Sequence, residues 1–497
     1  MGVNFRRERL SFERLAASGR EQIAIEGECA LSGSMRDAVT VLSVQAQAHI
    51  TQTQALGDRI GVKGRVCFQV LYTQGDLTRI RAIETTCDFT HELAAQGAAA
   101  GMRTEASVCV LETDGAAASG RMALRALIDL EAKAFDSAEQ DVITGIDGAQ
   151  DVCVRMQNVT SCAVCMLGEE TAIVREEFHL ADRLQIQNVL TATGEARITD
   201  ITGGAGRVGV SGVVELRVLH QPQSAGEPLV ETMHEIPFKT VINAQLAEEV
   251  QPFAAAEVLD VMADSVLADK QRTMRAEAEV RIRLLLCRSR SDELLDDLYS
   301  TSGPVLEPVS REIDVQTAHR CCDVRESVRI QATLPPDAPP VDTVLAAFAL
   351  PVLTGIAPAG KRLSAEGIAG ITLVYLPVDS DIPYAVRVRE PFAMTFPAEA
   401  EAGAAAGIRA VECSIGPATS DRVELRCLMA LQLSEHAAQK TRVVTDVGER
   451  PEEKREHGFV LVWPAPGETR WDTARRLRVP QENLRPAGTN ALLAFRR

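Results

Sequence analysis

One strand pattern occurs three times along this chain of 497 residues, and the copies follow each other at nearly constant spacing. They read GRVCFQVLY from Gly64, GVVELRVLH from Gly212 and GIAGITLVY from Gly367. A phenylalanine follows each strand at nearly the same distance, at Phe89, Phe238 and Phe392. An Arg-Glu pair is a third repeated feature, at Arg20-Glu21, Arg175-Glu176 and Arg325-Glu326. A repeat of about 150 residues predicts three versions of one structural unit, each long enough to bury a core.

Each copy is predicted to consist mainly of β-strands. In the second copy, apolar and charged residues alternate from Met274 to Leu284, as in a strand with one buried and one exposed face. Turn-forming segments separate such strands, for example Asp114 to Gly120 and Gly416 to Asp421. Strands at these short intervals predict a β-sandwich or barrel for each repeat. Ser291 to Ser300 is one of the few candidate helices.

The patterns divide the chain into six predicted segments. An amphipathic helix is predicted over 1–19, because four apolar residues can share one helical stripe: Phe5, Leu10, Phe12 and Leu15. Three repeats follow, at 20–160, 161–310 and 311–445. Residues 446–457 are predicted to form a charged linker, because the segment ERPEEKREHG has little to bury. Residues 458–497 form a separate small domain.

Composition argues against two classes of function. The net charge of -17 and the lack of a Lys/Arg-rich run predict no nucleic-acid binding. No stretch approaches 18 uninterrupted apolar residues and the start has no signal-peptide pattern, so we expect no transmembrane segment. Twelve cysteines without a signal peptide are typical of reduced thiols in the cytoplasm.

Two glycine-rich motifs resemble nucleotide-binding loops but precede strands. Gly355 to Arg362 places Arg362 where a P-loop needs Ser or Thr, and Gly204 to Gly209 has the G-x-G-x-x-G spacing of dinucleotide folds. Both run into the repeated strand rather than into a helix whose amides would face a phosphate. We therefore interpret both motifs as hairpin loops and predict no cofactor.

A zinc site and an enzymatic site are also disfavoured. Cys162 and Cys165 have C-x-x-C spacing and could in principle bind zinc together with His319, Cys321 and Cys322. In an extended strand, however, the two sulfurs of the C-x-x-C pair would point to opposite faces. We predict no metal. No G-x-S-x-G elbow is present, and Glu21, Glu176 and Glu326 recur with the repeat, so we predict that the protein is not an enzyme.

The last forty residues have a different pattern, predicted as strand, helix, helix, strand (βααβ). Residues 459–463 alternate as a strand, Thr469 can cap the first helix, and Pro480 can open the second. The segment from Pro466 to Ala474, PGETRWDTA, resembles the P-G-D-T-L-W-x-I-A signature of LysM domains. This resemblance implies a partner-binding module with Gly467, Glu468, Thr469 and Trp471 of the motif as candidate site residues. Arg475 and Arg476 are two further candidates, because the helical pattern places them at or near the surface.

Three β-rich repeats followed by one LysM-like module resemble the SPOCS-repeat spore coat morphogenetic proteins of the SipL type. The resemblance implies a scaffold or adaptor in the mother-cell cytoplasm at the forespore surface. The implied partners are the ATPase of the coat basement layer, which the LysM-like module engages, and other spore coat proteins. An alternative stays open, in which the module binds peptidoglycan or a lipid-linked glycan precursor.

Overall fold

The computed structural model describes the chain except for residues 1–3, 32–37, 149–150, 181–185, 205, 225, 245–249, 269–270, 361, 398–404, 452–457, 489–490 and 497. Eighteen long strands form three sets of six. The first set is β1 (Asn4–Ala30), β2 (Val39–Leu56), β3 (Arg59–Gln74), β4 (Asp76–Ala94), β5 (Arg103–Ala118) and β6 (Arg121–Asp147). The second is β7 (Val152–His179), β8 (Ile186–Gly204), β9 (Arg207–Pro222), β10 (Val230–Asn243), β11 (Val250–Ala268) and β12 (Gln271–Ser300). The third is β13 (Val305–Thr333), β14 (Val341–Ala359), β15 (Arg362–Pro377), β16 (Tyr384–Pro397), β17 (Ala405–Ala418) and β18 (Arg422–Arg450).

Each set is a β-sandwich of two antiparallel three-stranded sheets. In the first repeat the sheet orders are β1-β6-β5 and β2-β3-β4, and the other two repeats have the same topology. The central strands alternate between buried and more exposed residues, and β3 and β15 have the same burial pattern. The buried residues of both sheets form one core per repeat. The predicted mainly β fold with three sandwich-like repeats therefore agrees with the structure.

The glycine and phenylalanine of the repeat motif are direct neighbours across two strands. Gly64 pairs with Phe89, Gly212 with Phe238 and Gly367 with Phe392. The phenylalanine ring lies over the glycine, so that a Cβ added to Gly212 would be 2.4 Å from Cζ of Phe238. A ring that covers a glycine on the next strand pins the register of the two strands. This packing explains why the two residues recur together in all three copies.

The Arg-Glu pairs, by contrast, are not equivalent positions. The first strand of each repeat has a β-bulge at one residue, at Ala16, Cys165 and Thr317. Arg20, Arg175 and Arg325 lie four, ten and eight residues beyond these bulges, so the pairs occupy different places on the sheet. The prediction that they mark a common repeat position is wrong, because a two-residue motif recurs by chance more easily than the glycine–phenylalanine contact.

The predicted helix over 1–19 is also wrong, because residues from Asn4 onwards belong to strand β1, which pairs with β6 along its length. Leu10 and Phe12 are buried whereas Leu15 is 48% exposed, which does not match a single helical stripe. Ser291 to Ser300 is likewise the end of strand β12 and not a helix. Both segments are strands because each pairs with another strand of its repeat. The paired strand lies more than a hundred residues away along the chain, so the local sequence does not reveal it.

The first and last strands of each repeat extend beyond the sandwich as a two-stranded ribbon. The three ribbons pack together around apolar residues from all three repeats, including Leu10, Val159, Leu294, Ile313 and Val443. A second shared cluster joins the other sheets through Leu42, Leu190 and Leu345, among other residues. The three sandwiches therefore pack together into one assembly and are not independent domains.

The domain boundaries differ from those predicted. The boundaries at 160/161 and 310/311 fall inside strands β7 and β13. Residues 446–450 of the predicted linker belong to strand β18, where Arg450 pairs with Val305, so this part of the linker prediction is wrong. Residues 452–457 lie outside the described part of the chain.

Both glycine-rich motifs lie where two strands of a hairpin meet. Gly204 ends β8 just before β9, and Gly360 occupies the turn between β14 and β15 with φ of +68°. Cys162 is buried and Cys165 is exposed. The side chains of His319, Cys321 and Cys322 lie outside the described residues. Within the described ranges, no group of three or more His, Cys, Asp or Glu residues is placed to hold a metal ion, and no helix is long and apolar enough to span a membrane.

Candidate functional site: the C-terminal module

The C-terminal module contains short strands around one helix. Its elements are β19 (Gly458–Val462), helix α1 (Arg470–Leu477), a 3-10 turn (Gln481–Asn483), β20 (Arg485–Pro486) and β21 (Leu492–Arg496). The strands form a sheet in the order β19-β21-β20. The predicted second helix is wrong, because the segment after Pro480 makes a single 3-10 turn before it becomes extended at Leu484. The predicted βααβ arrangement is therefore not what the structure contains.

The PGET segment forms the start of helix α1. Gly467 has a φ of +84°, a backbone conformation that favours glycine, and reverses the chain just before the helix. Thr469 is the N-cap: its Oγ1 accepts a hydrogen bond from the amide of Asp472 at 3.2 Å, and Oδ2 of Asp472 accepts from the amide of Thr469 at 3.0 Å. The hydrogen bonds from Thr469 lower the pKa of Asp472. Two of the six candidate residues thus have a clear structural role.

Glu468 and Arg476 form an ion pair within the module. Nε of Arg476 donates to Oε1 of Glu468 at 2.9 Å, and Oε2 of Glu468 accepts from the amide of Ala465 at 2.7 Å. The hydrogen bond from Arg476, followed by that from Ala465, lowers the pKa of Glu468. The side chain of Arg476 is half exposed, so it remains available at the surface.

Trp471 and Arg475, in contrast, bind the second repeat. Asp297, at the end of strand β12, is 1% exposed, and its Oδ2 accepts hydrogen bonds from Nε1 of Trp471 at 2.7 Å and from Arg475 at 2.9 Å. The guanidinium of Arg155 stacks over the Trp471 ring at 5.3 Å. Burial of a carboxylate costs less free energy when a cation and hydrogen-bond donors contact it. The module therefore supplies the groups that make the burial of Asp297 possible.

Two further residues hold the module against the same repeat. The hydroxyl of Tyr299 donates to the carbonyl of Val479 at 2.9 Å, and its ring meets Trp471 edge to face, with ring centroids 5.0 Å apart. Arg478 ends helix α1 with a φ of +52° and is buried, donating to the carbonyl of Ser300 at 2.7 Å and to that of Gly303 at 2.9 Å. Sequence reasoning missed Asp297, Tyr299 and Arg478, because the two contacting segments are about 180 residues apart.

An apolar strip lies on the outward face of the module's sheet. Strand β19 alternates, so that Val460 and Val462 pack against the module core, whereas Phe459, Leu461 and Trp463 are 75%, 47% and 62% exposed. Phe495 of β21 pairs with Phe459, is 44% exposed, and has its ring centroid 5.0 Å from that of Phe459. We call these four residues the outer strip: Phe459, Leu461, Trp463 and Phe495. Exposed aromatic residues that adjoin each other are typical of a binding surface.

Fold and site together define a protein of tandem β-sandwich repeats with a small C-terminal module packed on the second repeat. A family model described as SipL, SPOCS domain matches residues 37–114 and 185–266. The two matches cover about a third of the chain and support its resemblance to SPOCS-type sporulation proteins. No curated protein and no solved structure matched the chain.

The matched regions cover the four middle strands of a repeat. They run from β2 into β5 in the first repeat and from the residue before β8 through most of β11 in the second. The third repeat lies outside the match but has the same strand order and the same glycine–phenylalanine contact. The match does not extend to the module at 458–497.

Proposed function

We propose that this protein is a non-enzymatic scaffold or adaptor in spore coat assembly, which tethers coat components to the coat basement layer through its C-terminal module. The observation that supports this role most directly is the outer strip. Trp471 and Arg475 bind Asp297 of the second repeat, so they do not face a partner. The outer strip, by contrast, is a large apolar surface of the module that is exposed and can bind a partner.

The partner proposed for the outer strip is the ATPase of the coat basement layer, by likeness to the SipL proteins. Clustered exposed aromatic residues carry a large share of the binding energy in protein interfaces. Arg470 and Arg485 are also exposed on the module. The module has seven arginines against three acidic residues within a chain of net charge -17, so an acidic partner surface would be attracted to it.

A tether is effective when its binding surface is held in place relative to the body. Asp297, Tyr299 and Arg478 fix the module on the ribbon of the second repeat, so the outer strip has a defined position relative to the sandwiches. Holding several binding surfaces on one chain raises the effective concentration of each for its partner. We propose that the repeats present their sheet surfaces to other coat proteins, in the mother-cell cytoplasm at the forespore surface.

A second candidate is binding of peptidoglycan or of a lipid-linked glycan precursor. It is favoured by the same outer strip, because exposed Trp and Phe rings offer faces on which sugar rings can stack, and by the LysM-like sequence from Pro466 to Ala474. The two candidates differ in the partner that the strip binds, so one set of variants tests both.

The test is the double variant Phe459→Ser/Trp463→Ser in the full chain, measured by co-purification with the coat ATPase and by sedimentation with peptidoglycan. We expect binding to the ATPase to fall about tenfold or more, because two large apolar contacts are removed. The matched control is Tyr384→Ser, which removes an aromatic residue that is 40% exposed on the third repeat. Trp471 fluorescence reports whether the module remains folded and packed.

ATPase binding that is unchanged in the double variant would contradict the proposed docking surface. Loss of peptidoglycan binding in the same variant, together with no binding of the wild-type chain to the ATPase, would replace the tether by the glycan-binding function.

A further inference from the structure

The three sandwiches line a partly open cavity with a volume of about 1110 Å³. Its wall includes edge strands from every repeat, β2 and β5, β8 and β11, and β14 and β17, together with side chains from the strands beside them. Sites for small molecules usually have volumes of about 300–1000 Å³, so this cavity is large enough for a small ligand with several functional groups. It lies on the sandwiches and is separate from the outer strip of the C-terminal module.

The wall of the cavity is basic although the protein as a whole is acidic. Among the described residues that line it, eight are arginines and four are glutamates, whereas the chain has a net charge of -17. All eight arginines come from the second and third repeats, and the first repeat contributes His49 and several neutral polar residues. A concave surface with an excess of one sign of charge attracts counter-ions, because its walls have a low dielectric constant.

Ion pairs across the repeat interfaces hold some of these arginines in place. His49 of the first repeat and Arg281 of the second both contact Glu257, with Nδ1 of His49 2.6 Å from Oε1 of Glu257. Arg325 of the third repeat donates to Glu215 of the second at 2.6 Å, and Arg389 donates to Glu112 of the first at 2.8 Å. The guanidinium groups are therefore positioned before any ligand arrives, which lowers the entropy cost of binding.

The wall has more hydrogen-bond donors than the described acceptors satisfy. Arg281 is 4% exposed and pairs with Glu257, and Arg217 is 16% exposed and pairs with Glu231, but the Nε–H group of each has no acceptor in the described structure. Arg387 donates to the backbone carbonyl of Thr113, and no described carboxylate lies within ion-pair distance of it. Guanidinium groups pair best with oxyanions, which accept two parallel N–H hydrogen bonds.

We propose that the central cavity binds a small multivalent oxyanion, whose carboxylate or phosphate groups pair with the arginines of the second and third repeats. A multivalent anion fits better than a single small ion, because the arginines are spread over a large wall that belongs to two repeats. A long polyanion such as nucleic acid is disfavoured by the negative charge of the rest of the protein. This site is independent of the tethering role proposed above.

The experiment is isothermal titration calorimetry of the full chain with citrate and, separately, with tripolyphosphate. We expect saturable binding of at least one of these anions, with one site per chain and an affinity that falls as salt is raised from about 50 to about 200 mM. The two arms distinguish a carboxylate ligand from a phosphate ligand. Absence of saturable binding in both arms would overturn the proposal.

Three variants locate the site. Arg387→Gln, whose side chain contacts a backbone carbonyl, should weaken binding about tenfold without disturbing the fold. Glu112→Gln should tighten binding severalfold, because it frees Arg389 from its carboxylate partner. The matched control Arg275→Gln removes an exposed arginine that pairs with Glu177 outside the cavity and should leave the Kd within about twofold of the wild-type value.

The variants also define what would refute the site. Equal weakening by Arg387→Gln and Arg275→Gln would mean that the anions bind the general surface, and an unchanged Kd in both Arg387→Gln and Glu112→Gln would place them outside this cavity. Circular dichroism of each variant confirms that the change in affinity is not a loss of fold.

Discussion

Arg475 and Arg476 are adjacent in helix α1, but the structure gives them different partners and therefore different effects on stability. Arg475 neutralises Asp297, a carboxylate of the second repeat that is 1% exposed, whereas Arg476 pairs with Glu468 inside the module. We predict that Arg475→Met weakens the packing of the module on the second repeat and that Arg476→Met does not. Methionine retains most of the apolar stem of arginine, so the comparison isolates the charge.

The magnitude follows from the burial of Asp297. Removing one partner of a fully buried ion pair costs about 3–5 kcal/mol. Arg475 is 40% exposed and Asp297 keeps two donors, Nε1 of Trp471 and the amide of Leu298, so the expected loss is lower, at about 2 kcal/mol. In the other ion pair Arg476 is 50% exposed and Glu468 keeps the amide of Ala465 as a donor, so removal of Arg476 should have a smaller effect.

Tryptophan fluorescence can measure this difference directly. The chain has two tryptophans, Trp463 in the outer strip and Trp471 at the contact with Asp297. In a Trp463→Phe background, Trp471 alone reports on the packed module during urea unfolding. Adding Asp297→Asn to Arg475→Met should recover part of the loss, because the unpaired buried charge is then absent. Equal losses of stability in Arg475→Met and Arg476→Met would refute the assigned contact.

Two further predictions concern the repeats. Burial alone would raise the pKa of Glu257, but hydrogen bonds and charges from His49 and Arg281 lower that pKa from 4.5 to about 2. The ionised Glu257 side chain therefore contributes fully to the stability of the fold above about pH 4.5, and this contribution is lost as the pH falls towards 2. Acid unfolding curves should therefore depend less steeply on pH between 5 and 2 in Glu257→Gln than in the wild type; identical slopes would contradict this interface. Gly212→Ala should destabilise the second repeat by about 1–3 kcal/mol, because the new Cβ would lie 2.4 Å from both Cζ of Phe238 and the carbonyl oxygen of Arg197. The control Gly355→Ala should not destabilise the protein, because no atom lies within 4 Å of the new Cβ. Similar melting temperatures for the two variants would argue against the glycine–phenylalanine contact as the reason why both residues recur in each repeat.

The sequence predicts the repeats well where a repeated residue has a repeated contact. A phenylalanine covers the repeated glycine in each copy, at Gly64, Gly212 and Gly367. A substitution of the glycine or of the phenylalanine would disturb their contact, so both residues recur in all three copies. The alternation of the central strands is similarly local, because every second residue enters the same core. These features can be recognised without knowledge of any long-range contact.

The predictions that are wrong depend on contacts between distant segments. Leu10 and Phe12 are buried by the ribbons of the other two repeats, and Leu294 and Tyr299 by a ribbon and by the module, so local spacing could not distinguish a strand from a helix there. Arg475 has the sequence context of an exposed helical residue. Its role becomes visible only when Asp297, some 180 residues earlier, is placed beside it.

The repeats are alike in their cores and differ where they face the central cavity. Counting from the shared glycine of the repeated strand, the fifth position is Gln69 in the first repeat, Arg217 in the second and Thr372 in the third. All three residues line the cavity, yet only one carries a charge. Core positions stay similar because each repeat must bury the same sheet faces, whereas cavity positions are free to differ since no packing requirement links them. The packing of three similar repeats therefore does not require arginines on one side of the cavity wall. This uneven distribution of charge is the reason to look for a ligand there.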